Sequence, residues 1–476
     1  MQEDGKHLYE KVAEVVGNMV QTGTLRPGDK VPSLRALSRK LKVSVATVMQ
    51  AYLLLENRDL IESRPQSGFY VKVSRDRLPA PRQKRNRSQT PRKVQFGNTV
   101  ETIFALANQS DVVPLGVANP APELLPLHAL GRAVREVMAR ETDHAISYDF
   151  PPGVPELRRQ IALRSADIGV DVDADEVLIT NGATEGLMIA LQSVAKAGDV
   201  IAVAAPAYFT VLQMIEKLGM LVVEVESDPD TGVDLDALSD WFERQPIAAV
   251  VVWANFANPT GALMSDDNKA ALVALCNQHD TPLIEDDVMG DLAFNGERPR
   301  NCKAFDTRDT VITVSSFSKT LAPGFRVGWT LGGHYHAAMM QQKQLNSSAT
   351  SSITQLATAR FLKHGHYDRH LIRLRRAYQS QVQQLRFGIA EHFPPGTRVS
   401  DPSGGFVMWV ELPAQTDSQL VYEKALRSGI SVTPGLLFSS TGRYNNYLRL
   451  CAGHPWSDTM QDAIKTLGRI VTRLAP

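Results

Sequence analysis

Beyond Val112 the chain alternates short, nearly continuous apolar runs with helical stretches. The clearest runs are EVLITNGATEGLMIALQSVA, DVIAVAAPAYFTVLQMIEKLG, AAVVVWANFANPTG, TPLIEDDVMGDLAF and TVITVSSFSKTL. A strand that is buried on both faces has an unbroken apolar sequence, and helices between such strands cover both faces of a mainly parallel sheet. The sequence therefore predicts an α/β domain whose functional side chains follow the strand ends.

The length of 476 residues exceeds what one hydrophobic core usually organises, so we expect two or three domains. The net charge of zero hides an asymmetry between the two ends. Residues 1–93 hold 19 Lys and Arg against 9 Asp and Glu, which leaves 32 against 42 in the rest. A basic segment that also carries patterned apolar residues favours a polyanionic partner. The N-terminal region is therefore the candidate for nucleic-acid binding.

Composition and patterning exclude several classes of protein. There is no apolar run near the roughly 18 to 20 residues that a membrane helix needs, and the polar start MQEDGKHLYEKVAE is unlike a secretory signal. Cys276, Cys302 and Cys451 lie far apart without metal-ligand spacing, which indicates reduced structural thiols. We therefore expect a cytoplasmic protein without a membrane segment, a disulfide framework or a metal site.

The first 73 residues carry the pattern of three helices and a strand pair. Apolar residues recur every three or four positions from Leu8, which predicts a helix with one buried stripe that ends at Gly23. Ser33 and Ser44 each precede a further helical stretch and suit its N-cap. The residues expected to be buried are Leu8, Val12, Val15, Val16, Met19 and Val20 in the first helix and Val45, Val48, Tyr52 and Leu55 in the third.

A tight LKVS segment between two short helices has the spacing of a helix-turn-helix, whose last helix lies in the major groove. LIESRP and GFYVKV then predict a two-stranded wing around Gln66, Ser67 and Gly68. Polar residues at the start of the last helix suit bases and phosphates, and basic residues nearby suit phosphates. The predicted DNA-binding residues are Arg35, Ser44, Thr47, Gln50 and Arg64. A small helical domain without a DNA partner is the alternative.

The stretch LRPGDKVPSLRALSRKLKVSVATVMQAYLLLENRDLIESRPQSGFYV resembles the GntR-type winged helix throughout, including its PGDKVPS entry and its RPQSGFYV wing. The resemblance covers about residues 5–73. It implies DNA-contact roles for Arg35, Ser44, Thr47 and Gly68. We therefore predict that residues 1–73 form a DNA-binding domain that reads double-stranded DNA.

Residues 74–110 are predicted to be a linker. Their first part, SRDRLPAPRQKRNRSQTPRKVQF, holds three prolines and eight basic residues against one acid, with little that could form a core. Such a chain repels itself and stays extended, so we expect it to span between domains, either touching the DNA backbone or as a solvated tether. The second domain is then predicted to cover residues 111–476.

Lys319 is the residue that indicates chemistry most strongly. It follows a predicted strand in SSFSKTLAPGFRVGW, with Ser316 and Ser318 before it and Arg326 seven residues after it. Hydroxyls and a guanidinium suit a phosphate, and a lysine held out of bulk water beside them can form a Schiff base. A surface lysine is the alternative, which this spacing disfavours.

Two further strand ends suit a phosphorylated aromatic ligand. TNGATEGL places Gly182, Ala183 and Thr184 at the start of a helix, where free N–H groups can hold a phosphate. In IEDDV a buried carboxylate can pair with a protonated pyridine nitrogen. Asp286, which ends the strand, is the first candidate and Asp287 is the competing assignment.

Asn258 in NPTG can donate to a phenolic oxygen, and Tyr208 in APAYF offers a flat face to a ring. In this order, the motifs resemble fold-type I pyridoxal-phosphate enzymes of the aminotransferase class, from about residue 112 to 474. The resemblance implies that Lys319 is the Schiff-base lysine, Asp286 the pyridine partner, Asn258 the O3′ donor and Tyr208 the stacking aromatic. The implied phosphate cup consists of Ala183, Thr184, Ser316, Ser318 and Arg326.

The same resemblance implies a substrate site and a dimer. Arg449 in YLRLCAG matches the arginine that holds a substrate carboxylate bidentately, and Asn119 falls on a family position. Tyr148 in YDFPPGVPELR matches a tyrosine that usually contacts the phosphate of the neighbouring subunit. The resemblance therefore implies a homodimer with composite sites.

The domain order is that of the MocR subfamily of GntR-type bacterial regulators, which the whole chain resembles. The expected fold is a winged helix-turn-helix linked to an α/β fold-type I aminotransferase-like domain with a small C-terminal α+β subdomain. The resemblance implies a transcription regulator that holds pyridoxal 5′-phosphate on Lys319 and binds operator DNA. An amino-acid-like or vitamer effector is expected to modulate that binding.

One departure from the family bears on catalysis. Relatives generally carry a tyrosine shortly after the paired aspartates, where EDDVMGDL has Val288 and Met289. Because that phenol hydrogen-bonds O3′ and tunes imine basicity, its absence puts efficient transamination in doubt more than cofactor binding. A catalytically active aminotransferase with an accessory DNA-binding domain remains the alternative function.

Overall fold

The computed structural model describes residues 8–21, 24–25, 28–57, 60–64, 67–72, 78–83, 90–94, 112–228 and 232–475. Within these residues the chain forms a small N-terminal helical unit, a large α/β domain and a smaller C-terminal α+β subdomain. The predicted fold class is confirmed. Gly23 and Gln66, predicted at a helix end and in the wing turn, lie outside the described residues.

The N-terminal unit consists of helices and one antiparallel strand pair. They are α1 Leu8–Gln21, α2 Leu34–Leu41, α3 Val45–Asn57, β1 Ile61–Arg64 and β2 Gly68–Val71. Ser33 Oγ accepts from Ala36 N at 3.3 Å, and Ser44 Oγ accepts from Thr47 N at 3.0 Å. Both predicted N-caps are therefore confirmed. Lys42 adopts the left-handed conformation between α2 and α3 and turns the chain.

The core of this unit is narrower than the apolar pattern suggested. Its buried residues on α1 and α3 include Val12, Ala13, Val16, Val48, Tyr52 and Leu55. Three predictions of burial are wrong, because Leu8, Val15 and Val45 are exposed. Leu8 and Val45 lie in the first turns of their helices, beyond the packed stripe. The buried stripe of α1 instead includes Ala13, which packs in the same core as Val12.

The large domain is built on one sheet that consists, among the described residues, of eight strands. They are β4 Val177–Thr180, β5 Val200–Ala205, β6 Leu221–Asp228, β7 Gly232–Val233, β8 Ala249–Val252, β9 Leu283–Asp286, β10 Val311–Ser316 and β11 Gly328–Leu331. Their order across the sheet is β4-β11-β10-β9-β8-β5-β6-β7. Neighbours from β10 through β6 pair in parallel, whereas β11 is antiparallel to β4 and β10, and β7 is antiparallel to β6. The mainly parallel sheet is confirmed.

Helices cover this sheet, as expected for strands buried on both faces. They are α4 Leu127–Arg140, α5 Thr142–Ile146, α6 Pro155–Ala166, α7 Ala183–Val194, α8 Phe209–Lys217, α9 Leu235–Arg244, α10 Asp266–Gln278, α11 His336–Ser347 and α12 Ser352–Lys363. Parallel pairing brings the carboxyl ends of β5, β8, β9 and β10 to one edge. The segments that contain Tyr208, Asn258, Asp286 and Lys319 therefore meet there.

The C-terminal subdomain has its own antiparallel sheet. Its strands are β12 Arg398–Val399, β13 Val407–Glu411, β15 Thr433–Pro434 and β16 Tyr447–Cys451, in the order β12-β13-β16-β15. A separate parallel pair joins β3 Val113–Pro114 to β14 Ile430–Ser431. The helices are α13 His366–His392, α14 Ser418–Arg427 and α15 Asp458–Leu474. The long α13 packs its first turns against the large domain and the remainder against the subdomain.

The described parts of the predicted linker are held against the C-terminal domains. Val399 N donates to Pro79 O at 3.0 Å, and Arg82 N donates to Glu411 Oε2 at 2.7 Å. Arg92 pairs with Val222 through two backbone hydrogen bonds. The expectation of a free tether is wrong for residues 78–83 and 90–94, because their backbone groups and a few apolar side chains find partners on strand edges.

Cys276, Cys302 and Cys451 are buried free thiols, as the sequence predicted. In the described part of the chain, no group of His, Cys, Asp and Glu has an arrangement that could hold a metal ion. No described helix combines the length and apolarity required to cross a membrane.

Candidate functional site

A cavity of about 640 Å³ opens at the edge where the parallel strands end. Its lining includes most of the residues that we predicted for the cofactor and substrate. They are Asn119, Ala183, Thr184, Tyr208, Asn258, Asp286, Ser316, Ser318, Lys319, Arg326 and Arg449. The structure therefore brings together side chains that are separated by more than three hundred residues in sequence, between Asn119 and Arg449.

Lys319 lies just after β10 and is held away from bulk water. Its Nζ donates to Ala118 O at 2.5 Å. Burial lowers the pKa of the Lys319 ammonium to about 8, and the guanidinium groups of Arg449 and Arg326 act in the same direction. A lysine with this pKa has a substantial neutral fraction near neutral pH, which a nucleophilic amine requires.

The two adjacent aspartates have different surroundings. Asp286 Oδ2 accepts from Trp253 Nε1 at 3.0 Å, and burial raises the pKa of this carboxyl to about 6. Asp287 instead accepts from Asn255 Nδ2 at 2.9 Å and from Arg298 at 2.7 Å. Asp286 lines the cavity, and Asp287 is occupied by a buried ion pair. The geometry thus favours the first of our two assignments for the pyridine partner.

One end of the cavity is a cradle for an anion. Gly182 has a φ of +78° and precedes α7, whose first N–H groups have no partner within the helix. A Cβ atom on Gly182 would lie 2.5 Å from Arg326 Nη2, so only glycine fits beside that guanidinium. Arg326 donates to Asn181 O at 3.0 Å, which fixes its position. Helix amides, hydroxyls and a guanidinium are the donors that a phosphate prefers.

Ser316 and Ser318 complete this end of the cavity. Both are buried, and Ser318 N donates to Ser316 Oγ at 3.3 Å. Arg326 Nη1 lies 3.4 Å from Ser318 Oγ, so the hydroxyl and the guanidinium point to one place. The residue types and their closeness fit the phosphate cup that the sequence indicated.

Arg449 lies at the opposite wall on β16 and is buried. Its Nη1 donates to Asn258 Oδ1 at 3.1 Å, and its Nη2 donates to Gly116 O and Thr433 Oγ1. Its Nε is buried without a hydrogen-bond partner among the described atoms. A buried arginine with an unused N–H group can bind a carboxylate. The guanidinium presents N–H donors side by side, and the two carboxylate oxygens accept from them.

The remaining wall is aromatic and apolar. Tyr208 follows β5, and burial raises the pKa of its phenol. Its ring centroid lies 4.9 Å from that of Phe209. Val288 and Met289, which stand where the family resemblance predicts a tyrosine, also line the cavity. At their positions the wall can therefore offer a ligand contact area but no side-chain hydrogen bond.

Tyr148 is placed apart from the other predicted residues. Its side chain is 75% exposed and stacks on Phe150 at 5.4 Å between ring centroids. It is not part of the lining of the cavity in its own chain. The prediction that it serves a neighbouring subunit is neither supported nor opposed by this placement.

The predicted DNA-contact residues lie on the N-terminal unit and differ in exposure and in hydrogen bonding. Arg35 and Gln50 are exposed, whereas the hydroxyls of Ser44 and Thr47 bind each other at 2.8 Å. Gly68 has a φ of +104° and lies against Lys30, which explains a glycine at the start of β2. These two hydroxyls form the N-terminal cap of α3, so only the lone pairs that the cap does not use can accept a hydrogen bond from a ligand.

Arg64 is the predicted DNA contact with the most partners inside the protein. Its guanidinium lies 4.3 Å from the centroid of the Tyr70 ring and pairs with Glu62 at 2.8 Å. It also donates to Gln383 Oε1 on α13 at 3.1 Å. In this conformation the wing therefore rests on the C-terminal part of the chain.

Sequence reasoning missed Trp253 and Gln383. Trp253 follows β8 at the functional edge of the sheet, so its position at a strand end was an available signal. Gln383 lies in the middle of a long helix, and its sequence environment gives no indication of a contact with the wing. Both residues act through partners that are distant in sequence.

Known proteins match both parts of the chain. Bacterial regulatory proteins of the gntR family match residues 8–71, and aminotransferase class I and II matches residues 110–467. The chain is 37% identical to the HTH-type transcriptional regulator YjiR of Escherichia coli (strain K12) over 465 residues, which cover 98% of this chain and 99% of that protein. The similarity thus extends over 98% of this chain and includes both of its domains.

Solved structures match the C-terminal part. The crystal structure of Pyrococcus horikoshii kynurenine aminotransferase, in complex with PMP, has a TM-score of 0.75 and 26% identity, covering 80% of this chain and 95% of that one. LysN of Thermus thermophilus, an alpha-aminoadipate aminotransferase complexed with N-(5'-phosphopyridoxyl)-L-leucine, has a TM-score of 0.74 and 25% identity, covering 80% and 96%. Both similar structures hold a phosphopyridoxyl group.

Proposed function

The chain belongs to the aminotransferase class I and II family and carries a gntR-family regulatory domain, as MocR-type regulators do, and from this premise we propose a transcription regulator that depends on pyridoxal phosphate. It binds operator DNA through its winged helix, works in the cytoplasm, and senses a small molecule in its aminotransferase-like cavity. The observation that carries the proposal is that one chain presents both a basic helix-turn-helix and a partly buried Lys319 beside an anion cradle.

The cavity residues suit pyridoxal phosphate at each of its polar groups. Lys319 would hold the cofactor covalently, and Asp286 would pair with the ring nitrogen. Asn258 would donate to the phenolic oxygen, and Tyr208 would cover one face of the ring. Gly182, Ala183, Thr184, Ser316, Ser318 and Arg326 would surround the phosphate. When bound, the cofactor supplies an electrophilic carbon that reacts with amines and a ring that withdraws electrons.

The effector is proposed to carry a carboxylate and an amine, or to be a vitamer. Arg449 is buried and retains an Nε without a partner among the described atoms, so a carboxylate would satisfy a donor that is now unpaired. Asn119 lies on the same cavity and would approach the same part of the ligand. Val288 and Met289 give the cavity wall apolar contacts. Such side chains can pack against an effector but cannot transfer a proton.

A homodimer is proposed for the working state. Tyr148 is exposed, and Ile146 and Phe150 beside it are 73% and 60% exposed. Large apolar side chains clustered on a surface indicate an interface. With a second copy on this surface, Tyr148 would reach the phosphate end of the partner cavity. Two winged helices on one dimer would then meet two operator half-sites.

DNA binding is proposed to involve Arg35, Ser44, Thr47, Gln50, Arg64 and Gly68. Arg35 is exposed in the first turn of α2, the first helix of the helix-turn-helix, and suits a phosphate. The two serine and threonine hydroxyls cap α3, so its N-terminal end is rigid when it meets a phosphate. Arg64 must leave Gln383 if the wing is to place it on the DNA backbone.

Helix α13 is the proposed connection between the cavity and the winged helix. Its Tyr378 hydroxyl lies 3.5 Å from Lys319 O, and its His370 donates to Thr320 O at 2.6 Å. Five residues beyond Tyr378, the same helix offers Gln383 to Arg64 of the wing. A rigid element that touches both sites can bias one when the other changes, provided that the effector prefers one arrangement.

The competing function is an active aminotransferase whose DNA-binding domain is accessory. It is favoured by the lowered pKa of Lys319, since a lysine that titrates near 8 can both give and take a proton. The apolar Val288 and Met289 and the basic N-terminal unit oppose it. Residual half-transamination is compatible with the regulator.

The test combines two measurements on the purified full-length protein. A borohydride-reducible absorbance band after addition of pyridoxal phosphate would support the cofactor site, and a sequence-specific mobility shift with DNA from its own upstream region would support the regulator. Steady turnover of an amino donor and a keto acid, with no sequence-specific DNA binding, would favour the enzyme instead.

A further inference from the structure

The outward face of α3 is apolar for most of its length. Val45 is 44% exposed, Met49 37% and Leu53 48%, and Ala46 is exposed beside them. Among residues 45–56 of α3, Gln50 is the one exposed side chain that can hydrogen-bond, and no charged residue precedes Glu56. A solvent-facing helix usually carries polar and charged residues on this side. The exposed apolar face therefore indicates a surface that binds a partner.

The hydroxyls at the start of α3 do not change this picture. Ser44 Oγ accepts from Thr47 N at 3.0 Å and lies 2.8 Å from Thr47 Oγ1. Both side chains are thus engaged in the N-terminal cap, and their remaining capacity lies at the helix end, where phosphates are the usual partners. Direct reading of base edges is left to Val45, Met49 and Gln50.

The surroundings of this face select DNA as the occupant. Arg35, Arg39, Lys40 and Lys42, on α2 and just after it, are all exposed. An apolar protein partner would leave this group of positive charges beside the interface, whereas a duplex offers them phosphates on either side of the groove. Charge complementarity thus places the apolar face of α3 toward the floor of a major groove.

Resting on the DNA-binding function proposed above, we infer that α3 reads thymine and adenine. Val45 and Met49 contact the C5-methyl groups of thymines, because these methyls are the apolar feature of the major-groove edge. Gln50 pairs with an adenine, whose N7 accepts and whose N6 donates to one amide. Guanine, which arginine and lysine read, has no partner on this face. The half-site under α3 therefore consists of A·T pairs.

Selection from random double-stranded oligonucleotides with the full-length protein supplies the operator for the test. Each thymine of the selected half-site is then replaced by deoxyuridine, which removes one methyl group and leaves base pairing unchanged. Loss of one buried methyl contact should weaken wild-type binding about fourfold at the positions under α3. The same replacement at thymines outside the half-site should leave the binding affinity unchanged.

Variants assign each position to a side chain. In Val45→Ala one deoxyuridine position should lose its effect, and in Met49→Ala a different one should. Replacing the contacted adenine by 7-deazaadenine should weaken wild-type binding about tenfold and leave Gln50→Ala unaffected. Leu420→Ala is the matched control, since Leu420 is a comparably exposed apolar residue that lies on α14 of the C-terminal subdomain, outside the winged helix.

The outcomes separate this inference from the function on which it rests. The absence of any sequence-specific binding contradicts the regulator itself. Specific binding to a G·C half-site, or no response to deoxyuridine, overturns only the reading by α3. A change in sedimentation of Val45→Ala and Met49→Ala without DNA, with no methyl effect, shows instead that this face binds protein. The cofactor absorbance of every variant should match the wild type, which confirms that the chain is folded.

Discussion

In the aminotransferase-like domain the candidate binding residues converge on a buried cavity, whereas in the winged helix they lie on an exposed surface. Lys319, Asp286 and Arg449 are held by hydrogen bonds to neighbours from several parts of the fold, and burial shifts the pKa values of Lys319 and Asp286 before a ligand arrives. Arg35 and Gln50 are exposed and have no such enclosure, so we expect their side chains to gain a fixed orientation only on the proposed DNA partner. The first site is preorganised for small molecules, and the second depends on its partner.

Substitution of Lys319 is expected to have the largest effect, because it should remove cofactor attachment in the cavity and leave the winged helix unchanged. Lys319→Ala should abolish the borohydride-reducible absorbance band with pyridoxal phosphate, because no other amine lies among the described residues of the cavity. The winged helix has its own core, so the affinity of the variant for DNA without ligand should stay near that of the wild type. Lys465→Ala, on an exposed helix face, is the control and should keep the band. A band that survives in Lys319→Ala would mean that another lysine is used.

The pH dependence sharpens the claim of preorganisation. Burial lowers the pKa of Lys319 to about 8, so raising the pH converts ammonium to neutral amine through that value. From about pH 6 to about pH 8 the neutral fraction, and with it the rate of cofactor attachment, should increase about fiftyfold. Asp286, with a pKa raised to about 6, ionises over the lower part of that range, and its negative charge raises the pKa of Lys319 and partly opposes this increase. Stopped-flow absorbance measures the rate, and a flat profile would contradict the buried amine.

Asp286 and Asp287 offer a matched pair within the buried region. Asp286→Ala should weaken cofactor affinity roughly 10- to 100-fold, as expected for the loss of a charge-assisted hydrogen bond, with little loss of stability. Asp287→Ala should destabilise the fold by about 3–5 kcal/mol, because it leaves Arg298 buried beside one carboxylate fewer. Cofactor titration and urea unfolding measure the two effects. Exchange of these outcomes between the variants would reverse the assignment.

Arg35 tests the exposed surface. Arg35→Ala should lower operator affinity about tenfold and reduce the slope of log affinity against log salt by about one, as one phosphate contact is lost. The absorbance of the bound cofactor should not change, since the two sites lie in different domains. Lys465→Ala again serves as the control. Simultaneous loss of DNA binding and cofactor binding would contradict this modularity.

The smallest expected effect lies where the two regions touch. Gln383→Ala removes the acceptor that ties Arg64 of the wing to α13, so the wing can move Arg64 to a phosphate more easily and operator affinity should increase about fivefold. Gln384→Ala, on the neighbouring residue of α13, is the matched control. Fluorescence anisotropy with labelled operator resolves a change of this size. A decrease in affinity would mean that the contact orders the wing for DNA.

Strand ends and helix caps were predictable because they depend on local sequence. The apolar runs gave β4, β5, β8, β9 and β10, and the serines gave both caps of the helix-turn-helix. Burial along a single helix was less predictable. Periodicity identifies a face, but the length of the contact depends on a neighbour, which is why Leu8, Val15 and Val45 are exposed.

The site was predictable in its residues and not in its contacts. Asp286 and Asp287 are adjacent, and successive residues of an extended chain point to opposite sides, so sequence alone could not say which one faces the cavity. Trp253 and Gln383 contact partners 33 and 319 residues away. Contacts at such separations follow from the packing of the whole fold. The role of Tyr148 depends on a second chain and stays a prediction.

The central claim is that one chain couples its cavity to its DNA-binding surface. The most direct measurement is operator affinity of the full-length protein in three states: without cofactor, with pyridoxal phosphate, and with pyridoxal phosphate plus candidate amino acids or vitamers. Each state is repeated with Lys319→Ala. We expect affinity or half-site spacing to change with the ligand state of the wild type, and the variant to lose the part of this change that depends on covalently held cofactor. Equal operator affinity in all states, together with steady turnover of amino donor and keto acid, would contradict it.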